Sequence, residues 1–406
     1  MNNCRSGVIK SNRIVFPDGV KAGYLLVQEG KISGFEPHFS GEHIDFSDKI
    51  IMPGFVDIHV HGWGRGSFAY KGNKAALKWM SHDLVKVGVT SYLPTSGTMP
   101  NAFLEASLVE AADYIATATP AEGAEAIGIH MEGPYISEKH LGMQRADSLQ
   151  PPSIGGFDRF NQLSGQNIRL MTLAPEREGA LELIRHLCAK GITASAGHTD
   201  ATFAEVTAAV EAGLSHFTHA YSGMRGFHHR ELGVVGALMY HQDTYAEVAK
   251  QSGITIKPEA FDLLYRLKRD RRMVLMSDCM GYVDFPEGYE FYHYLRKETF
   301  RIKQGQLEIA ADSGETQHVC PCDYSSVKQL EMNFLDSVRN IFERLDNGWV
   351  SVARIACENP AILAGAQDRK GSLCLGRDAD ILVLDDDFNL IDVYCRGLRQ
   401  AQLREV

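Results

Sequence analysis

Asp57-Ile58-His59-Val60-His61 closes an apolar run that begins at Gly54 and sets two imidazoles one residue apart. Side chains two apart on a strand share a face, so His59 and His61 can grip one ion ahead of the turn at Gly62. Four more ligand types end short apolar stretches downstream: Glu132 after Ile129-His130-Met131, His198 after Ser195-Ala196-Gly197, His219 after Phe217-Thr218, and Asp278 after Leu275-Met276-Ser277. A lone histidine pair is as readily a hydrogen-bonded core feature. Recurrence of ligand types at strand ends favours a metal.

Imidazole and carboxylate donors together suit Zn²⁺ or Fe²⁺, whereas Mg²⁺ and Ca²⁺ want mostly oxygen. Glu132, His198 and His219 form a three-ligand set that leaves a position open for water. His59 and His61 can hold a second ion with Glu132 between the two. The expected cofactor is therefore one or two divalent ions, zinc preferred and iron the alternative. A bound ion lowers the pKa of its water from about 15.7 to about 7, giving hydroxide at neutral pH. Asp278 is then the proton carrier, passing the water proton to a leaving group. Its bland alternative, an N-cap, fits poorly with Cys279-Met280-Gly281-Tyr282, which is no helix start.

Such residues need a frame that brings distant strand ends together. Two β-rich stretches, Ser6 to Phe16 and Gly23 to Phe35, open the chain, with turns at Pro17-Asp18-Gly19 and Glu29-Gly30-Lys31. The C-terminal end has the same texture. Between them, apolar runs predict strands at Phe55–His61, Thr90–Pro94, Ala126–Glu132, Ile168–Pro175, Ile192–His198, Ser215–His219, Tyr245–Ala249 and Met273–Asp278. Segments with helical spacing, such as 74–87, 178–190 and 258–267, lie between them. Alternating strand and helix predict an α/β fold, a (β/α)8 TIM barrel, whose active site gathers at the C-terminal strand ends. An open doubly wound sheet would not bring the first and last strands together. The expected domains are a small β-sandwich from residues 1–52 plus 366–406, and a metal-dependent catalytic barrel over 53–365.

The 406 residues are 44% hydrophobic and 23% charged, ordinary for a globular chain with a large core. A net charge of −10 argues against nucleic-acid or anionic-membrane partners. No apolar run approaches the ~20 residues that span a bilayer. The opening Met1-Asn2-Asn3-Cys4-Arg5-Ser6 lacks the form of a signal peptide, and the eight cysteines are dispersed. Both point to the cytoplasm. The close pair Cys320-Pro321-Cys322 reads as a chance loop pairing.

With these residues in view, Asp57-Ile58-His59-Val60-His61, together with His198, His219 and Asp278, resembles the amidohydrolase superfamily. Glu132-Gly133-Pro134, Leu173-Ala174-Pro175-Glu176, Ala196-Gly197-His198-Thr199 and Thr218-His219-Ala220 are similar to its N-acetylglucosamine-6-phosphate deacetylase branch. Glu358-Asn359-Pro360-Ala361, Lys370-Gly371-Ser372 and Gly376-Arg377-Asp378-Ala379-Asp380 fit that branch too. The resemblance runs from about Met52 to Gly397. It implies a hydrolase in amino sugar metabolism that removes an N-acetyl group from N-acetylglucosamine-6-phosphate or a related N-acetylhexosamine phosphate, by attack of metal hydroxide on the amide carbonyl.

Substrate contacts implied by the resemblance are altered. The family's carbonyl-polarising histidine falls on Gln144, with His140 nearby. Its phosphate-binding histidine after the seventh strand falls on Thr255, and an asparagine after the sixth falls on Ser222. The family's interface arginine is present as Arg230, which implies a homodimer; His228, His229, Arg225 and Lys257 lie close in sequence. A polar insertion, residues 310–326, replaces a short loop after Asp278. Two alternatives stand beside the deacetylase reading: an amidohydrolase for an unphosphorylated sugar or N-acyl amino acid, and a catalytically silent binding protein.

Overall fold

A computed structural model describes residues 6–250, 255–281, 287–293, 298–304, 306–309, 317–318 and 331–401. The barrel strands are Phe55–Val60, Val89–Ser96, Ile129–Glu132, Ile168–Leu173, Thr193–Ala196, His216–Phe217, Tyr245–Ala249 and Met273–Met276. Successive strands pair in parallel from the first to the last. Main-chain bonds from Asp278 N to His59 O and from His61 N to Cys279 O, each 2.8 Å, close the ring. An open sheet has no such contact. Strands covered on both faces read as continuous apolar runs rather than alternating ones, which is why their number and order are visible in the sequence.

Each strand leads into a helix: Lys74–Leu84, Asn101–Thr117, Ile154–Leu163, Ala180–Ala189, Phe203–Glu211, Gly233–Tyr240, Pro258–Lys268 and Phe334–Phe342. Local chemistry sets several starts. Asn73, Ser153 and Asn333 cap with their side chains, and Thr202 with Glu205 forms a capping box. No helix among the described residues is long and apolar enough to cross a membrane.

Of the eight strands only Tyr245–Ala249 keeps its expected bounds; the others differ by a residue or two at an end, or, for the third, by a break within it. The third is split into Glu125–Ala126 and Ile129–Glu132, both alongside the second strand. The sixth shortens to His216–Phe217, because His219 turns out of the ladder at a φ of +32°.

A second sheet joins both chain ends, in the order Leu398–Arg399, Leu390–Cys395, Ile381–Leu384, Ile50–Pro53, Gly7–Phe16, Gly19–Gln28, Lys31–Glu36, with Ile44–Asp45 beside Gly7–Phe16. Its period-two alternation divides two cores. Ile14, Phe16, Ile51, Ile381 and Val383 pack within the small domain. Val15, Ile50, Met52, Leu382 and Leu384 face the barrel. Lys370, fully buried, ties the two parts by pairing with Glu125 at 2.6 Å, Asp380 at 2.7 Å and Asp378 at 3.0 Å.

Between the last barrel strand and Phe334–Phe342, the chain builds a four-stranded antiparallel sheet from Glu290–His293, Glu298–Lys303, Gln306–Ile309 and Gln317–His318. The excursion therefore begins well before residue 310. Most of 310–326, including Cys320 and Cys322, lies outside the described residues.

Candidate metal centre

Six side chains from five strand ends converge on one point. Glu132 Oε1 lies 3.1 Å from both His198 Nε2 and His219 Nε2, which are 3.0 Å from each other. The same oxygen is 3.4 Å from His59 Nε2, and Oε2 is 3.3 Å from His61 Nε2. Asp278 Oδ1 stands 3.5 Å from both of those nitrogens. Two trios, Glu132-His198-His219 and His59-His61-Asp278, each bring their donor atoms within 4.8 Å of one another.

The other ring nitrogen of every imidazole is committed. His61 Nδ1 donates to Thr95 O at 3.1 Å, His198 Nδ1 to His140 O at 2.6 Å, and His219 Nδ1 to Ser222 O at 3.0 Å. His59 Nδ1 donates to Glu247 Oε2 at 3.0 Å. These bonds leave each Nε2 lone pair aimed inward, the arrangement by which outer partners orient metal-binding histidines. Lone pairs 3.0 to 3.3 Å apart repel unless a cation or protons stand among them. The donor set thus fits a divalent ion such as zinc or iron.

The electrostatics say the same. Burial works against charge on His59, yet Glu132, Glu247 and Asp278 hold its pKa well above the ordinary value. Burial also opposes charge on His61, but Asp278 and Glu132 raise it to about 9. Enclosure pushes the Glu132 and Asp278 carboxyls up, and the facing imidazoles, with Lys250 beside Asp278, pull both below the usual range. The carboxylates therefore demand positive charge at the centre, and protons compete with a metal for it.

Backbone strain accompanies the site. His198, His219 and Asp278 have φ of +48°, +32° and +50°, conformations that bulky residues occupy only when the surroundings impose them. Gly197 permits one of these turns, since a Cβ there would meet Thr172 and Thr218 at 2.7 Å.

Of the altered contacts, Gln144 is buried beside the cluster. Its Nε2 donates to Glu132 Oε2, and its Oε1 accepts from Thr98 N at 2.6 Å. Ser222 is exposed and reaches the cluster through its main-chain oxygen. Thr255 turns its hydroxyl to Lys250 O at 2.6 Å. Arg230 is exposed, and its guanidinium forms no ion pair with described residues. The His140 ring lies 3.3 Å from Asp200, which also pairs with Arg225 and Lys139, so all three groups are engaged by that one carboxylate.

Sequence reasoning missed Glu247. Fully buried, it accepts from His59 Nδ1 and from His219 N at 3.1 Å, so one carboxylate braces both trios. A glutamate at the centre of the apolar run Tyr245–Ala249 was the available signal. His130, also buried, spends Nδ1 on Ile58 O and Nε2 on Thr172 Oγ1, at 3.0 and 2.8 Å. It therefore belongs to a hydrogen-bonded layer beneath the cluster.

A model of the amidohydrolase family matches residues 50–399. The chain is 35% identical over 386 residues to the N-acetylglucosamine-6-phosphate deacetylase of Bacillus subtilis (strain 168), covering 93% of this chain and 92% of that one. It is 28% identical over 393 residues to the N-acetylgalactosamine-6-phosphate deacetylase of Escherichia coli O157:H7, covering 96% and 98%. The crystal structure of N-acetylglucosamine-6-phosphate deacetylase from Thermotoga maritima superposes with a TM-score of 0.78 at 28% identity, covering 97% of this chain and 99% of that one.

Proposed function

The chain belongs to the amidohydrolase family, in its N-acetylglucosamine-6-phosphate deacetylase branch, and from that premise we propose that it hydrolyses the acetamide of an N-acetylhexosamine 6-phosphate, the glucosamine compound first. The observation that carries the reading is the convergence of four inward-facing Nε2 atoms on Glu132, with Asp278 beside them. Glu132, His198 and His219 would hold one divalent ion, zinc in our assignment, and His59 and His61 a second with Glu132 between. When bound, such an ion supplies acidification of a water molecule and polarisation of the amide carbonyl.

The chain's own residues do the rest. Asp278 is the most open member of the cluster, its side chain 29% exposed against 2% for Glu132. As a carboxylate beside the attacking water, it can take that water's proton and deliver it to the departing amine nitrogen. Gln144, bonded to Glu132, has one further amide hydrogen with which to meet the acetyl oxygen, a donor that cannot pass on a proton. We assign Ser222 and Thr255 to the sugar end and Arg230 to the phosphate in the site of a second copy, which makes the protein a homodimer in this reading. We assign the barrel to 53–365, the small domain to 1–52 plus 366–406, and the protein to the cytoplasm.

The test is turnover of metal-replete protein on N-acetylglucosamine 6-phosphate, its galactosamine epimer and the unphosphorylated sugars. Phosphate should raise kcat/KM by orders of magnitude; equal rates with and without it end the phosphosugar assignment. Asp278→Asn should retain metal and lose at least about 100-fold in kcat, and near-parental turnover would remove Asp278 from the chemistry.

A further inference from the structure

The turn that carries Asp278 is held by charged side chains that none of these roles uses. Asp278 sits at a φ of +50°, and the polar main-chain groups from Asp278 N to Gly281 N are all bonded. Barrel closure accounts for Asp278 N and Cys279 O, and Cys279 N donates to Ser277 Oγ at 3.3 Å. The remaining groups end on three side chains. Lys250 Nζ donates to Asp278 O at 2.8 Å, and Ser67 Oγ donates to Met280 O at 2.8 Å. Met280 N and Gly281 N donate to the two oxygens of Glu331, at 2.9 and 3.0 Å.

Lys250 and Glu331 are only 4% and 6% exposed. Burying such groups is costly unless their bonds are strong, and bonds to ionised groups are about twice as strong as neutral ones. The opposite side of the turn is closed sterically: a Cβ on Gly62 would lie 2.4 Å from Met280 O. Gly281 and Glu331 also bracket the segment bearing the four short strands, so the bond between them fastens the base of that excursion to the Asp278 turn.

We propose that Lys250 and Glu331 are positioning residues for Asp278, clamping its turn so that the carboxylate faces His59 and His61. The inference rests on the proton-carrier reading of Asp278. Lys250 fixes the carbonyl leaving Asp278, and Glu331 fixes the next two free amides. The strained backbone is left with one arrangement.

Kinetics of metal-loaded Lys250→Met, Lys250→Arg and Glu331→Gln on N-acetylglucosamine 6-phosphate test the clamp. Misplacing a reacting group by about 1 Å costs on the order of 100-fold, so Lys250→Met and Glu331→Gln should lose about 10- to 100-fold in kcat. KM should stay within about twofold, and metal per chain should not change. Lys250→Arg, which keeps a cationic donor, should recover much of the loss. A purely structural role would lower the melting temperature while leaving kcat per loaded site intact, and that result overturns the proposal. Should those variants fail to fold, Ser67→Ala decides: a severalfold fall in kcat supports the clamp and an unchanged kcat overturns it. Asp278→Asn separates the two readings. If it turns over normally, the proton-carrier reading has failed; if it is inactive while Lys250→Met and Glu331→Gln are normal, only the clamp has failed.

Discussion

Replacing Glu247 by glutamine should weaken metal binding without disturbing the barrel. The carboxylate accepts from His59 Nδ1 at 3.0 Å and from His219 N at 3.1 Å, both in a fully buried setting. Hydrogen bonds to a charged group are worth about 1.5–3 kcal/mol and neutral ones about 0.5–1.5. Glutamine therefore gives up about 1 to 1.5 kcal/mol per bond, or about 2–3 kcal/mol for the two. The protein without metal loses part of that as well. The His59 bond carries the differential share, because a charged acceptor makes the opposite nitrogen a better donor to the ion. That share of about 1–1.5 kcal/mol corresponds to a loss of about tenfold in affinity, the lower end of what outer partners of metal ligands usually contribute. The glutamine amide can face His216 Nε2, which lies 3.6 Å from Glu247 Oε1, so the core is not left with a new void. The assay is competition against a chelator at neutral pH, with thermal melts of the metal-free protein alongside. Affinity within about twofold of the parent, with matching melts, would refute the bracing role.

Chelation of the parent should abolish turnover, and zinc or iron should restore it. Saturating metal at about 100 times Kd should add about 2.7 kcal/mol of stability, read as a rise in melting temperature. Gln144→Ala leaves Thr98 N without its acceptor and removes the amide donor to Glu132 Oε2. It should cost about 1–3 kcal/mol of stability and at least about tenfold in kcat/KM, measured by denaturation and steady-state kinetics. At the domain junction, burial would raise the Glu125 carboxyl, but Lys370, Arg396 and Arg369 bring it down to about 2. Since its folded pKa is the lower one, its stabilisation is complete above the ordinary value near 4.5 and is lost as pH falls from there towards 2. Glu125→Gln should therefore lose about 3 kcal/mol at pH 7 and show a flatter acid limb in urea melts between those two values.

Several features were legible before any coordinates. Continuous apolar runs between helical stretches announced eight parallel strands, because a strand buried on both faces has no room for alternation. Ligand types at the C-terminal ends of those runs announced the site, because a barrel gathers that rim around one axis. The motif after Ile129 marked Glu132, and period-two spacing paired His59 with His61.

Other features depended on contacts between residues far apart in the chain. Nothing near Glu247 says that its Oε2 meets both His59 and His219, and nothing near Asp278 names Lys250 and Glu331 as its supports. The direction in which Gln144, Ser222, Thr255 and Arg230 point was equally hidden, since loop backbones answer to whichever groups the rim presents. The sequence alone determined which side chains stand at the strand ends, since periodicity and residue type are local properties. Only the closed barrel decided which of their atoms meet and with what charge. Distance, strain and desolvation arise when remote segments share one interior.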